Sequence, residues 1–394
     1  MRRHPLLLGL AIALVAFNLR APLASVGPVL PELRDGLRLS GTGAAVLTML
    51  PVLCFGALAA VAPRLARRFG IEPVLMGVLI ALVAGLAGRV LAGPSLLFAG
   101  TILLGSAIAL ANVLLPPLIK RDFPAHTGAM MGVYTMSVTA SAAVAAGVTV
   151  PVGGLLALDW RGALGFWAVP AALAAVAWVP QLRARTRPPE EPAGGRSLLR
   201  DALAWQVTVF FGLQSMLFYA LLAWLPSIYR EHGYSPAAAG FLLSLLGLVQ
   251  IPVTLVLPGF ATRAPNQVRH IVVATALLGA GLAGVLLAPT AAPYLWVVLA
   301  GIGSGSCFAL ALALFVLRAR RVHDTARLSA MAQTVGYLIS ACGPLLFGLV
   351  HEFTGSWTAP LLLLVVLLVP LLWCGVLAGR PVYVRTGSAS ASAR

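Results

Sequence analysis

Pro5-Leu6-Leu7-Leu8-Gly9-Leu10-Ala11-Ile12-Ala13-Leu14-Val15-Ala16-Phe17-Asn18-Leu19-Arg20-Ala21-Pro22 opens an apolar run that continues to Leu30 and carries one charge. A helix of that length crosses a bilayer. Arg20 lies about 22 Å along it from Pro5 at 1.5 Å per residue, far from either end. Even on insertion scales a guanidinium at that depth costs at least about 2.5 kcal/mol, so such residues face water-filled cavities or partners. Pro22 cannot donate to the carbonyl of Asn18, which leaves a free acceptor in the same turn.

The rest of the chain has the same character. Of its 394 residues, 60% are hydrophobic and 10% charged, more apolar surface than a soluble domain can hide. Runs long enough to span fall near 5–30, 42–62, 73–92, 95–118, 129–157, 162–182, 203–228, 236–258, 270–288, 293–317, 329–350 and 358–378. They predict an all-α membrane protein of twelve transmembrane helices. Gly93-Pro94 and Trp160-Arg161 mark the tightest turns. The basic start at Arg2-Arg3 mimics a secretory signal, but the run outlasts signal length and a retained first span is expected.

An even number of spans puts both termini on one side, and the basic residues say which. With the termini cytoplasmic, 21 of the 27 Lys and Arg residues fall inside, four (Arg34, Arg38, Arg161, Arg230) outside, and Arg20 and Arg89 within spans. This bias accounts for the net charge of +16 without nucleic acid. The expected location is the cell membrane, with both termini cytoplasmic and the chain a monomer in the lipid bilayer.

Arg183 to Asp201 is the longest hydrophilic stretch, and its Arg187-Pro188-Pro189-Glu190-Glu191-Pro192 core reads as a linker. It divides the chain into an N-terminal six-helix bundle (1–182), a cytoplasmic loop (183–201), a C-terminal six-helix bundle (202–380) and a Ser/Ala-rich disordered tail (381–394). The halves echo each other. Gly105-Ser106-Ala107 before Lys120-Arg121 resembles Gly303-Ser304-Gly305 before Arg318-Ala319-Arg320, and Pro28 matches Pro226. A six-span unit repeated once is the layout of transporters that work by alternating access.

Within this frame, Asn18-Leu19-Arg20-Ala21-Pro22 with Val26-Gly27-Pro28, Leu50-Pro51-Val52-Leu53-Cys54-Phe55-Gly56, and Asn112-Val113-Leu114-Leu115-Pro116 with Ile119-Lys120-Arg121-Asp122-Phe123-Pro124 resemble the cyanate porter and 2-nitroimidazole transporter family of the major facilitator superfamily. The resemblance implies the major facilitator fold and a transported small solute. It departs at Leu65-Ala66-Arg67-Arg68-Phe69-Gly70, where the superfamily usually places an aspartate at the position of Arg67. Gly147-x-x-x-Pro151-x-Gly153-Gly154 is similar to a string found in superfamily antiporters but lacks the glycine before the proline.

The candidate substrate-binding residues are polar or aromatic groups at mid-depth. Arg20 reads as an anchor for an anion or dipole, or as a structural donor to carbonyls of a broken helix. Asn18 and Asn112 each precede a proline by four residues, Pro22 and Pro116. Each therefore either repairs a kink or lines a cavity. Arg89 lies three residues from the turn at Gly93-Pro94 and is expected to snorkel to water. In the second half Phe210, Phe211, Gln214, Phe218 and Tyr219 make a partly polar aromatic face, joined by Gln250, Gln333 and Tyr337; each alone suits helix packing, and together they suit a small anion or polar planar molecule.

All eleven acidic residues fall in loops or at span ends, no histidine lies mid-span, and nothing resembles a phosphate-binding loop, a metal cluster or a nucleophile with its base. The four cysteines sit in apolar runs without ligand spacing and read as buried. An enzyme is therefore not expected, nor a cofactor, nor coupling through a mid-span carboxylate. The expected function is secondary active or facilitative transport of a small anionic or polar solute, a cyanate-like anion, through a central cavity by alternating access. Efflux of a drug or nitroimidazole-type molecule, and solute sensing without transport, are the alternatives.

Overall fold

The computed structural model describes residues 5–39, 41–91, 93–155, 159–184, 186 and 197–385. Expectations for Arg2-Arg3, for the linker core at 187–196 and for the tail at 386–394 lie outside the described residues. The described chain is helical, without strands: α1 (Pro5–Phe17), α2 (Ala21–Ala24), α3 (Leu30–Leu37), α4 (Gly41–Leu58), α5 (Ala62–Phe69), α6 (Ile71–Leu91), α7 (Pro94–Asp122), α8 (Thr127–Leu155), α9 (Trp160–Gly165), α10 (Ala168–Trp178), α11 (Ala202–Glu231), α12 (Pro236–Arg263), α13 (Val268–Leu287), α14 (Pro293–Leu317), α15 (Val322–Thr354) and α16 (Thr358–Ala378). Among the described residues these make twelve candidate membrane spans. Leu91 (73% exposed), Leu287 (80%) and Phe353 (86%) turn outward, a placement that only a lipid environment makes cheap.

Two details of the spans differ from expectation. The first span is not one helix but α1, a turn at 18–20, the single-turn α2 and a short 3-10 segment before α3. Trp160 and Arg161 are not a turn either. They begin α9, whose N-cap Asp159 accepts a hydrogen bond from the Gly162 amide at 3.0 Å, as a short side-chain acceptor before a first helical turn does.

The chain forms two compact units. One comprises Met1–Leu115 with Val133–Pro188, the other Pro116–Gly132 with Pro189–Arg394. The segment 116–132 therefore groups with the second unit, although it lies in the N-terminal half of the sequence.

In the first unit α1 packs on α10, and α6 on α9 and α10. A Cβ at Gly105 of α7 would lie 3.0 Å from Cα of Pro51 in α4. In the second unit α11 packs against α15, α16, α14 and α12, and α14 against α12 and α13. There a Cβ at Gly305 would lie 2.9 Å from Cβ of Gln250 in α12. Gly305 thus lies against the neighbouring helix as Gly105 does, and so does Gly301, whose Cβ would lie 2.4 Å from Val249 of α12. Gly303 faces the other neighbour, α13, where its Cβ would lie 2.2 Å from the Leu278 amide nitrogen. Two residues on a helix point about 200° apart, so Gly-Ser-Gly offers one small residue to each flanking helix.

The basic residues expected to mark one face also cap helix ends. Lys120 Nζ donates to the carbonyls of Val316 (2.9 Å) and Ala319 after the end of α14. Arg318 donates to Ala378 O at 2.7 Å and Gly379 O at 3.3 Å, the last carbonyls of α16. Cations at helix C-termini satisfy orphan carbonyls and complement the dipole. Burial lowers the Arg318 pKa, an effect that Tyr383 partly opposes.

The acidic residues do lie at span ends, but several are buried: Glu72, Asp201 and Asp324 are each less than 9% exposed. Glu72 accepts from the amide (2.9 Å) and hydroxyl (3.0 Å) of Thr186. Asp201 caps α11 through the Ala204 amide at 3.0 Å and accepts from the Arg385 amide at 2.7 Å. Asp201→Ala is expected to cost about 1–2 kcal/mol through the lost cap. Asp201→Asn should cost less, and melting temperatures of the two purified variants check this. Cysteine burial is mixed: Cys54 and Cys307 are buried, but Cys342 is exposed on α15.

Candidate functional site

The site in the first unit is built around the broken first span. Asn18 N bonds Val15 O and Leu19 N bonds Ala16 O, both three residues back. The α-helical ladder therefore tightens and stops just before Arg20, the N-cap of α2 at φ −123°. Asn18 is buried. Its Nδ2 donates to Leu14 O at 2.8 Å and to Pro170 O of α10 at 3.2 Å, while Oδ1 is buried without a partner among the described residues. Asn18 thus ties the end of α1 to its neighbour. Arg20 is half-buried and engaged by protein groups.

Arg89 corrects the reading most sharply. It does not snorkel: it is 3% exposed, and Nη1 donates to Pro22 O at 2.8 Å. That carbonyl is available because Val26 N bonds Leu23 O, three residues back, instead of Pro22 O. The Ser25 hydroxyl adds a second donor at 3.3 Å. Part of the repair that the sequence left open to Arg20 therefore falls to Arg89, one helix away in space. Proximity to a turn did not decide the side chain's direction, because α6 and α7 approach at Gly85 and Gly100 and Arg89 lies over Gly100, 3.0 Å from its Cβ position.

Asn112 is 5% exposed and accepts from the Tyr134 hydroxyl of α8 at 3.3 Å. Tyr134 went unnoticed in the sequence, although it is the only tyrosine before Tyr219. Around Pro116 and Pro117 α7 continues unbroken to Asp122, so the shared Asn-to-Pro spacing has two outcomes. In the first span the chain turns at 18–20 and passes through α2 and a 3-10 segment at Gly27–Val29 before α3 begins.

In the second unit the expected aromatic face divides. Phe211 meets Tyr337 edge-on, with centroids 5.2 Å apart, and packs on Phe315. Gln214 donates to Phe211 O (3.1 Å) and Ser215 Oγ (2.6 Å), and Gln333 to Ser329 Oγ (2.8 Å). These residues meet because α11 and α15 cross closely at Gly212 and Gly336. Phe210 turns away and packs over Gly375 of α16 with no exposed surface. Gln250 stands at the α12–α14 crossing and donates to Leu246 O at 3.1 Å. Phe218 and Tyr219 pair edge-on at 5.4 Å and are half-buried. Of the second-half candidates, Tyr337 meets Phe211, the buried Gln214 and Gln333 donate within α11 and α15 respectively, and Phe210 and Gln250 belong to helix packing.

Comparison with known proteins yields consistent matches. A family model described as the Major Facilitator Superfamily matches residues 6–339. An uncharacterized transporter of Bacillus subtilis (strain 168) is 41% identical over 95% of this chain and 93% of its own. The 2-nitroimidazole transporter of Escherichia coli (strain K12) is 39% identical, covering 95% of each chain. The cyanate transport protein of the same organism is 29% identical over 88% of this chain and 91% of its own. Among solved structures, a proton:xylose symporter superposes with a TM-score of 0.74 at 13% identity, over 95% of this chain and 94% of that one.

Proposed function

Since this chain belongs to the Major Facilitator Superfamily and is a multi-pass membrane transporter, we propose that its solute is a small planar molecule, anionic or strongly dipolar, contacted by Arg20. One observation carries the reading. A half-buried arginine stands at the break of the first span, while the carbonyl freed at Pro22 is held by Arg89 and Ser25. A guanidinium retained at mid-depth beside unwound backbone suits a bidentate, planar partner. Asn112 and Tyr134 add a neutral polar pair within the same unit.

The named relatives support this class. Cyanate is a small linear anion, and 2-nitroimidazole is a planar heterocycle whose nitro oxygens carry partial negative charge. The higher identity to the 2-nitroimidazole transporter, 39% against 29%, favours a nitroheterocycle over a cyanate-like anion. The chain works as a monomer, because both units are carried by one polypeptide, and it lies in the cell membrane with both termini cytoplasmic, as its basic residues direct.

The test pairs ligand-induced stabilisation with exchange of labelled solute in proteoliposomes. For the wild type, 2-nitroimidazole or cyanate should raise the melting temperature, since a ligand bound only to the folded state stabilises it. Arg20→Lys keeps the charge and loses the fork, so binding should weaken several-fold. Arg20→Gln should weaken it at least about tenfold. Normal binding by a folded Arg20→Gln would overturn the assignment. If Arg20→Gln does not fold while Arg20→Lys folds and binds unchanged, the arginine is structural and the reading also falls.

A further inference from the structure

A pocket of about 390 Å³ lies in the second unit, lined by Leu257 of α12, Arg269, His270, Val273 and Ala274 of α13, and Ser306 of α14. Its chemistry changes with depth. Arg269 and His270 are the second and third residues of α13, at the rim of the span. Ala274 lies about 6 Å deeper at 1.5 Å per residue, and Leu257 and Val273 make the walls apolar. Val273 is 51% exposed, so the trough opens sideways to lipid.

The rim carries Arg269 and His270. Residues 232–323, which contain α12, α13 and α14, include no Asp or Glu, and neither does α16, which also packs on α13. His270 Nδ1 is buried without a hydrogen-bond partner among the described residues. The N-cap Gln267 makes no side-chain cap, its amide being turned back to Ala261 O and Ala264 O, and Asn266 Oδ1 accepts from the Val268 amide at 3.3 Å. The Ser306 hydroxyl is committed to Ile302 O at 2.7 Å, so the floor makes no demand for a polar ligand. A cationic rim above an apolar trough that opens to the bilayer matches a phosphate attached to a hydrocarbon chain.

We propose that this pocket binds one anionic phospholipid, with the phosphate at Arg269 and His270 and an acyl chain along Leu257, Val273 and Ala274. Inorganic phosphate shares the headgroup chemistry but has no use for the trough. Three forms of the full-length protein test this: wild type, Arg269→Gln/His270→Gln, and Val273→Trp, the last chosen because Val273 is exposed and its replacement does not disturb the core. Phosphatidylglycerol, phosphatidylcholine and inorganic phosphate are added in detergent, and bound lipid is counted by native mass spectrometry. The wild type should retain one phosphatidylglycerol that each variant binds about tenfold more weakly, with little phosphatidylcholine retained by any form. Equal retention of phosphatidylglycerol by wild type and both variants overturns the proposal. So does displacement of that lipid by inorganic phosphate at equal concentration, which makes free phosphate the ligand, or equal retention of phosphatidylcholine.

Discussion

Arg89→Met should loosen the broken first span by an order of magnitude or more while leaving the protein folded. The variant keeps the length of the side chain and removes the donor that holds Pro22 O at 2.8 Å. A hydrogen bond from a charged donor contributes about 1.5–3 kcal/mol, a factor of roughly ten to a hundred in a local opening equilibrium. The global effect is smaller, because the variant also removes a desolvated cation whose Nε has no partner among the described residues, and replacing a buried charge by an apolar isostere is often near neutral. Hydrogen exchange at the amides of residues 23–26 should therefore quicken at least about tenfold with little change in melting temperature. Solute exchange in proteoliposomes should fall in parallel if Arg20 is aimed by this break. Unchanged amide exchange would show that Ser25 alone holds the carbonyl.

Gly303→Leu should damage the fold severely. Its Cβ would lie 2.2 Å from the amide nitrogen of Leu278 and 2.7 Å from the carbonyl of Ala274, so both obstacles are backbone and neither can rotate aside. In a membrane interior close helix approach is itself the main source of association, through dispersion and small-residue contact. Separating α13 from α14 by a side chain forfeits that along the whole crossing, and a loss above about 4 kcal/mol is expected, in the range reserved for severe core defects. Gly105→Ala is the milder comparison: its nearest obstacle, Pro51 Cα at 3.0 Å, asks for a shift of a few tenths of an ångström. Size-exclusion profiles and melting temperatures in one detergent should rank wild type, Gly105→Ala and Gly303→Leu in that order. A monodisperse Gly303→Leu with wild-type stability would refute the helix spacing described for the second unit.

The two experiments also bear on the proposed solute. If Arg89→Met impairs exchange while Arg20→Gln abolishes binding, positioning and contact are carried by different arginines. If both variants lose binding equally, the broken turn acts as one unit with Arg20.

Much of this protein could be read from its sequence, for a physical reason. A bilayer leaves backbone groups no partner but their own helix, so apolar length translates directly into spans, and twelve runs became twelve candidate membrane spans. The family was equally legible, because Asn18-Leu19-Arg20-Ala21-Pro22 and Asn112 to Pro116 are local strings. What the sequence could not decide was where individual side chains point. Arg89 stands near a turn, and solvation alone sends it outward; only the approach of α6 to α7 turns it inward onto Pro22 O. Phe210 and Phe211 are neighbours of equal hydrophobicity, yet Phe210 fills the space over Gly375 while Phe211 meets Tyr337. Asn18 and Asn112 share one spacing to proline, but one helix breaks and the other continues. Tyr134 became part of the site only once α8 lay beside Asn112. Composition and period determine which residues enter the membrane; which of them meet depends on glycine-sized gaps between helices, and those exist only in the packed structure.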